Sequence, residues 1–186
     1  MALSYPESLR SVQSHSQTAV LAPRWDSQAS SGRHRPEKGY AFRGHTPRPA
    51  PPRCAAALGA SNVTLTDIEA CLPLLRENAA GVAGVVVEAL DWTEPVAPSL
   101  RADVVLAADC LLPGREGLFA PLATTLAALL AGDAVAYFVY EQRCMDCGPF
   151  FELLRGAGVA VSCIPDDDLH PEFRAPEIRV HELRRT

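Results

Sequence analysis

Hydrophobic and polar residues change their spacing near residue 53. Before it, Thr18-Ala-Val-Leu-Ala22 is the one apolar patch in a stretch of Ser, Arg, Pro, His and Gln. From Cys54 onward, apolar positions alternate between the strand and helix periods. Cys54–Leu58 predicts the last turn of a helix stopped by Gly59, and Val63–Thr66 predicts a strand that closes on Asp67. Ile68, Cys71, Leu72, Leu75 and Ala79 form one helical stripe within 68–80, with Pro73 tolerated near its start. Strands are predicted at 85–89, 103–108, 134–140, 159–164 and 178–183, and helices at 116–130 and 147–157. Alternation of this kind predicts an α/β fold with a mostly parallel sheet, and the last two strands, with no helix between them, predict an antiparallel finish.

Charge follows the same boundary. Residues 1–53 carry 8 Arg/Lys against 3 Asp/Glu, whereas 54–186 carry 9 against 19. The basic segment is too polar to offset its own ordering entropy and is expected to be a disordered extension, with 54–186 as the domain. Its Arg/Ser-rich, acid-poor character suits a plastid or mitochondrial transit peptide, although its prolines interrupt any amphipathic helix. The acidic body disfavours nonspecific nucleic-acid binding. No apolar run reaches the roughly 18 residues of a membrane span, and no hydrophobic signal core opens the chain. Six scattered cysteines, several in apolar patterns, indicate a reducing compartment, and the expectation is a cytoplasmic monomer.

Two strands ending on acids, Asp67 and Asp109, place carboxylates where open α/β sheets bind their ligands, at the C-terminal ends of parallel strands. Two carboxylate oxygens match the vicinal diol of a ribose, so Asp67 is a candidate ribose ligand; an N-cap for the following helix is the alternative. Asp91 and Trp92, just past the next strand, are placed to flank an adenine ring, and Trp92 as a cover for the sheet edge is the alternative there. For Asp109 the alternative is a cap or a sheet-end hydrogen bond.

In series, Val63-Thr-Leu-Thr-Asp67, Leu75-Arg-Glu-Asn78, Leu90-Asp-Trp92, Asp103-Val-Val-Leu-Ala-Ala-Asp-Cys-Leu111 and Tyr140-Glu-Gln-Arg143 resemble the seven-strand S-adenosylmethionine-dependent methyltransferases of family 16, the methyltransferase-like 21 group of protein lysine methyltransferases. The resemblance covers about residues 54–186. It implies a Rossmann-like methyltransferase sheet, S-adenosylmethionine as cofactor and a lysine side chain of a protein as acceptor. It also implies that Asp67 binds the ribose, that Asp91 and Trp92 bind the adenine side, and that Ala108 and the catalytic Asp109 line the methionine and acceptor end. Asn78 and Tyr140–Arg143 are assigned to structure near the site.

The chain departs from that pattern twice. Leu112 stands where an aromatic is usual, and His45-Thr-Pro-Arg-Pro-Ala-Pro-Pro-Arg53 stands where the first strand and its Gly-rich loop belong. Prolines cannot sustain a central strand. The domain is therefore read as N-terminally truncated, with a gap of roughly 9–10 Å between the strands ending at Asp67 and Asp109. The sheet must close up, recruit Thr18–Ala22, or stay partly unformed. A noncatalytic remnant that binds a protein partner is the alternative function. Cys144-Met-Asp-Cys147 lacks a second ligand pair and is read as a helix entry with no metal. Asp166–Asp168 is read as a solvated loop, and His170 and His181 as surface residues.

Overall fold

The computed structural model describes residues 17–21, 60, 62–111, 114–142 and 146–186. The expected helix end at 54–58, Leu112, Arg143 and Cys144 lie outside the described residues. Among those described, strands β1 (Gln17–Leu21), β2 (Val63–Asp67), β3 (Val85–Ala89), β4 (Val104–Ala108), β5 (Val135–Glu141), β6 (Val159–Cys163) and β7 (Ile178–Arg185) form one sheet. Its order is β3-β2-β1-β4-β5-β7-β6. The pairs β2/β3 and β4/β5 are parallel, and β7 runs antiparallel between β5 and β6. Five strands thus share one direction, with the antiparallel C-terminal strand that the sequence predicts.

The gap expected between β2 and β4 is filled. β1 lies in it, antiparallel to both neighbours, with Ala19 opposite Leu65 on one side and Leu106 on the other. Of the three outcomes open to the sheet, recruitment of the apolar patch near residue 18 is the one observed. The physical reason is backbone satisfaction: without a strand here, β2 and β4 would each leave a row of N–H and C=O groups unpaired in the middle of the sheet.

Among the described residues the helices are α1 (Leu72–Ala79), α2 (Phe119–Leu129) and α3 (Gly148–Gly156). Short 3-10 turns at Glu69–Cys71 and Glu116–Leu118 lead into the first two, so both helices start later than the apolar spacing suggests. Pro73 sits in the first turn of α1, where its missing N–H costs nothing. Cys147 is the cap residue of α3, as a helix entry should be. No described helix is long and apolar enough to cross a membrane.

Residues opposite one another in a ladder point to the same side of the sheet. One side carries Val105, Ala107, Ala136, Phe138 and Leu183, each at most 1% exposed. α2 and α3 cover it with Leu122, Leu126, Leu129, Phe150 and Leu154, making the main core. Phe138 and Phe150 meet there at 5.1 Å between ring centroids. Burial of each such side chain is worth about 1.5–3 kcal/mol. The opposite side has a smaller core in which Leu75 of α1 packs with Val63 and Leu65.

His181 corrects the sequence reading. It is a half-buried residue on the main-core side, paired with Phe138 and Cys163 in the ladders and stacked on Phe151 at 4.6 Å and Tyr140 at 5.8 Å. A histidine on an alternating strand faces in or out by parity alone, and here the parity is that of Leu183. Its Nδ1 is enclosed without a hydrogen-bond partner among the described residues. Burial, with Arg155 and Arg179 nearby, lowers its pKa below the ordinary 6.5. The folded state then binds less proton than the unfolded chain below that value, so this contribution to stability is lost as the pH falls from about 6.5 towards the depressed folded pKa. The Tm should therefore fall between pH 7.5 and 5.5 by more in the native chain than in His181→Phe. Equal losses in the two proteins would refute this.

Candidate functional site

The C-terminal ends of the parallel strands bring the candidate residues to one edge. Asp67 ends β2 opposite Ala89, and its carbonyl accepts from the Leu90 N–H at 2.9 Å. The segment carrying Asp91 and Trp92 therefore leaves the sheet directly beside Asp67. Ala108 ends β4 opposite Gln17, the first residue of β1. Because Thr18 faces Thr66, Gln17 also stands level with Asp67. Asp67 and Ala108 are thus two strand spacings apart, roughly 9–10 Å, with β1 entering the sheet between them.

The Asp67 carboxylate is half-buried and held. Its Oδ1 accepts from the Ile68 N–H at 2.8 Å, and the Cys71 thiol donates to the same carboxylate. Burial raises its pKa, while those two donors pull it back. Asp67 is not the helix cap: the cap positions are Ile68 for the 3-10 turn and Cys71 for α1. The carboxylate keeps acceptor capacity, since four lone-pair sites exceed two donors. Cys71 is a site residue that the strand-end pattern does not reveal: Asp67 ends β2 and Cys71 closes the 3-10 turn that follows, so their approach is made by that turn and not by a shared helical face.

Asp91 is exposed, and its Oδ1 accepts from both the Thr93 N–H at 2.8 Å and the Thr93 hydroxyl at 2.7 Å. These two bonds lower its pKa. The Glu94 N–H to Asp91 carbonyl bond, at 3.0 Å, closes the turn. One Asp91 oxygen is therefore committed to its own turn. Trp92 is half-buried and packs against the main core. Its carbonyl accepts from the hydroxyl of the buried Thr125, at 3.4 Å.

Asp109 follows β4 with φ +56°, the only non-glycine residue with positive φ among those described. The kink has a cause in the sequence: β4 ends at the sheet's edge, yet Cys110 and Leu111 must return to the core, where they are 5% and 1% exposed. Aspartate is among the few residues that tolerate this left-handed region. The Asp109 N–H donates to the Val139 carbonyl at 2.7 Å, fixing the kink against β5. Ala108 is exposed beside it. Tyr140 is 7% exposed and stacked in the core, in keeping with a structural assignment.

Tested against an adenosyl ligand, the residues fit at one half of the site. A carboxylate with spare acceptors stands next to a turn bearing an aromatic ring, which suits a ribose beside an adenine. At the other half, the position between Asp67 and Ala108 is occupied by β1 backbone at Gln17. Among the described residues, no cluster of three or more His, Cys, Asp or Glu side chains is arranged to hold a metal.

Comparison with known proteins agrees with this architecture. The chain is similar in structure to the CMeT domain of citrinin polyketide synthase, with TM-score 0.54 and 12% identity over 71% of this chain and 41% of that one. It is similarly related to human N-acetylserotonin methyltransferase, solved in complex with SAM, with TM-score 0.53 and 12% identity over 71% and 43%. A TehB-like SAM-dependent methyltransferase from Corynebacterium glutamicum matches with TM-score 0.49 and 16% identity over 65% and 66%. The chain spans less than two thirds of the length of each of these three proteins. At such identities the first two likenesses establish the fold, a Rossmann-like methyltransferase sheet. The model of the lysine methyltransferase family matches residues 53–157, a stretch that holds β2 to β5, all three helices and every candidate residue but excludes β1. With more than half of its length matched, the chain belongs to the lysine methyltransferase family.

Proposed function

We propose that this protein is an S-adenosylmethionine-dependent methyltransferase whose acceptor is a lysine ε-amine of another protein. The observation that carries the reading is the row of strand ends that sets Asp67, the Asp91–Trp92 turn and the kinked Asp109 along one edge of the sheet. Family membership supports the lysine acceptor. So does the charge of that edge, where Glu69, Glu88, Glu94 and Glu141 join the candidate aspartates, because an acidic rim attracts an ammonium-bearing segment. The described cysteines 71, 110, 147 and 163 are thiols, which supports a cytoplasmic setting.

The bound cofactor would supply a methyl group on a sulfonium, which passes to the amine nitrogen in line while sulfur keeps the bonding pair. The protein's part is placement. Asp67 holds the ribose hydroxyls with the oxygen capacity that Ile68 and Cys71 leave free. Trp92 offers a face to the adenine. Asp109 receives the incoming ammonium and orients it, and the proton leaves to water before attack. Alignment of an already activated donor lowers a barrier by several kcal/mol without a strong base.

Calorimetric titration with S-adenosylmethionine tests the reading. Binding should be seen with the native chain, and Asp67→Ala should weaken it roughly 10–100-fold, the loss of charge-assisted hydrogen bonds worth about 1.5–3 kcal/mol. No heat at millimolar cofactor would sink the reading. It would favour the second one, a noncatalytic protein-binding module, which draws support from β1 standing where the family's first strand belongs, with its start at Gln17 on the edge that the Gly-rich loop would occupy.

A further inference from the structure

α2 is almost wholly apolar, yet two adjacent threonines lie within it, and they behave differently. Thr124 is exposed, and its hydroxyl donates to the Ala120 carbonyl at 3.0 Å, one turn back, the usual resort of a hydroxyl on a helix. Thr125 is 2% exposed and sends its hydroxyl out of the helix, to the Trp92 carbonyl 33 residues away. The other buried polar side chains among the described residues, Thr64 and Thr66, belong to β2, so Thr125 is the one on a helix. A valine would fill the same volume without a hydroxyl to desolvate, and a buried hydroxyl is unfavourable unless it is bonded.

Its acceptor lies at the middle of an otherwise self-contained turn. Asp91 and Thr93 bond to each other, Glu94 bonds back to Asp91, and none of these contacts ties the turn to the rest of the fold. Its entry is pinned by the Leu90 N–H bond to the Asp67 carbonyl, and beyond that point its attachments are the Trp92 ring, packed against the main core, and the Thr125 bond. The ring fixes a side chain, whereas the hydrogen bond fixes the backbone from which Asp91 and Trp92 both project. At 3.4 Å the bond is long, so it guides the turn more than it clamps it.

We propose that Thr125 is a positioning residue for the adenosyl end of the site, setting the orientation of the Asp91–Trp92 turn from inside the core. The proposal rests on the cofactor reading above. It assigns a binding consequence to a side chain that touches no ligand.

The chain has two tryptophans, Trp25 and Trp92, so a Trp25→Phe background isolates the fluorescence of Trp92. In that background Thr125→Val and Thr125→Ser are compared with the parent by acrylamide quenching and by calorimetry with S-adenosylhomocysteine. Thr125→Val should quench more readily and bind about 5–10-fold more weakly, the scale of one net hydrogen bond. Thr125→Ser, which keeps the hydroxyl, should restore both. A merely structural threonine would move Tm and neither of these. Unchanged quenching in Thr125→Val overturns the tether, and raised quenching with unchanged affinity overturns its role in binding. A parent that binds no S-adenosylhomocysteine sinks the cofactor reading instead, and quenching alone then decides the tether.

Discussion

Ala19→Pro is expected to lower Tm by roughly 6–12 °C, the largest loss foreseen for any substitution between Gln17 and Leu21. Ala19 is the middle residue of β1, with a partner on either side, Leu65 in β2 and Leu106 in β4. Whichever neighbour its N–H faces, proline removes that ladder bond and places a ring in a central strand, at a cost of about 3 kcal/mol or more. For a chain of this length each kcal/mol corresponds to roughly 2–4 °C. Hydrogen exchange should localise the damage, with protection lost at Val63–Thr66 and Val104–Ala107 and kept in the β5/β7/β6 hairpin region. An unchanged Tm with full protection in β2 and β4 would show that the middle of the sheet does not depend on β1.

β1 also shows where sequence patterning stops. The elements from β2 to β7 were legible because each has its own period and its own punctuation: Gly132 after α2, Pro73 at the start of α1, and the alternation through Val135–Glu141 that sends Phe138 inward and Tyr137 to the half-open side. The mostly parallel sheet followed from strands alternating with helices, its Rossmann-like form from the family resemblance, and the antiparallel finish from the missing helix before β7. The direction of β1 had no such cue. A five-residue strand reads alike from either end, and its pairing is set by partners 42 and more residues away. The antiparallel insertion puts the start of β1 at the ligand edge of the sheet, where a parallel first strand would have ended and turned into its loop.

Within the site, legibility followed the same division. The strand-end acids were visible because a polar residue closing an apolar run is a local signal. What surrounds them was not, since the Cys71 thiol on Asp67, the Thr125 hydroxyl on Trp92 and the aromatic stack around His181 are contacts made only when helices fold onto the sheet. Thr125, one hydroxyl in a largely apolar run, carries no such local signal. Its burial on an otherwise apolar helix, and not its position in the chain, is what marks it.

Asp109→Gly is expected to make the protein more stable and much less active. With φ +56° the native residue sits in the left-handed region, where a Cβ is unfavourable, and glycine relieves that strain by about 0.5–1 kcal/mol after allowance for its freer unfolded chain. Asp109→Ala keeps the Cβ and gains nothing. Both lose the carboxylate, so if Asp109 receives and orients the acceptor ammonium, each should transfer methyl groups roughly 100-fold more slowly, as when a preorganised electrostatic contact is removed. The cofactor Kd should move little in either, because the adenosyl contacts assigned to Asp67 and Trp92 remain. Asp109→Asn separates charge from geometry: asparagine tolerates the same backbone and has nearly the same shape, but carries no charge. Radiolabel transfer into a protein lysate from all three variants, with calorimetry beside it, gives the reading. Equal loss in Gly, Ala and Asn with Kd preserved assigns the role to the carboxylate charge, whereas near-native transfer by Asn would show that the kink alone serves the reaction and would remove Asp109 from the catalytic residues.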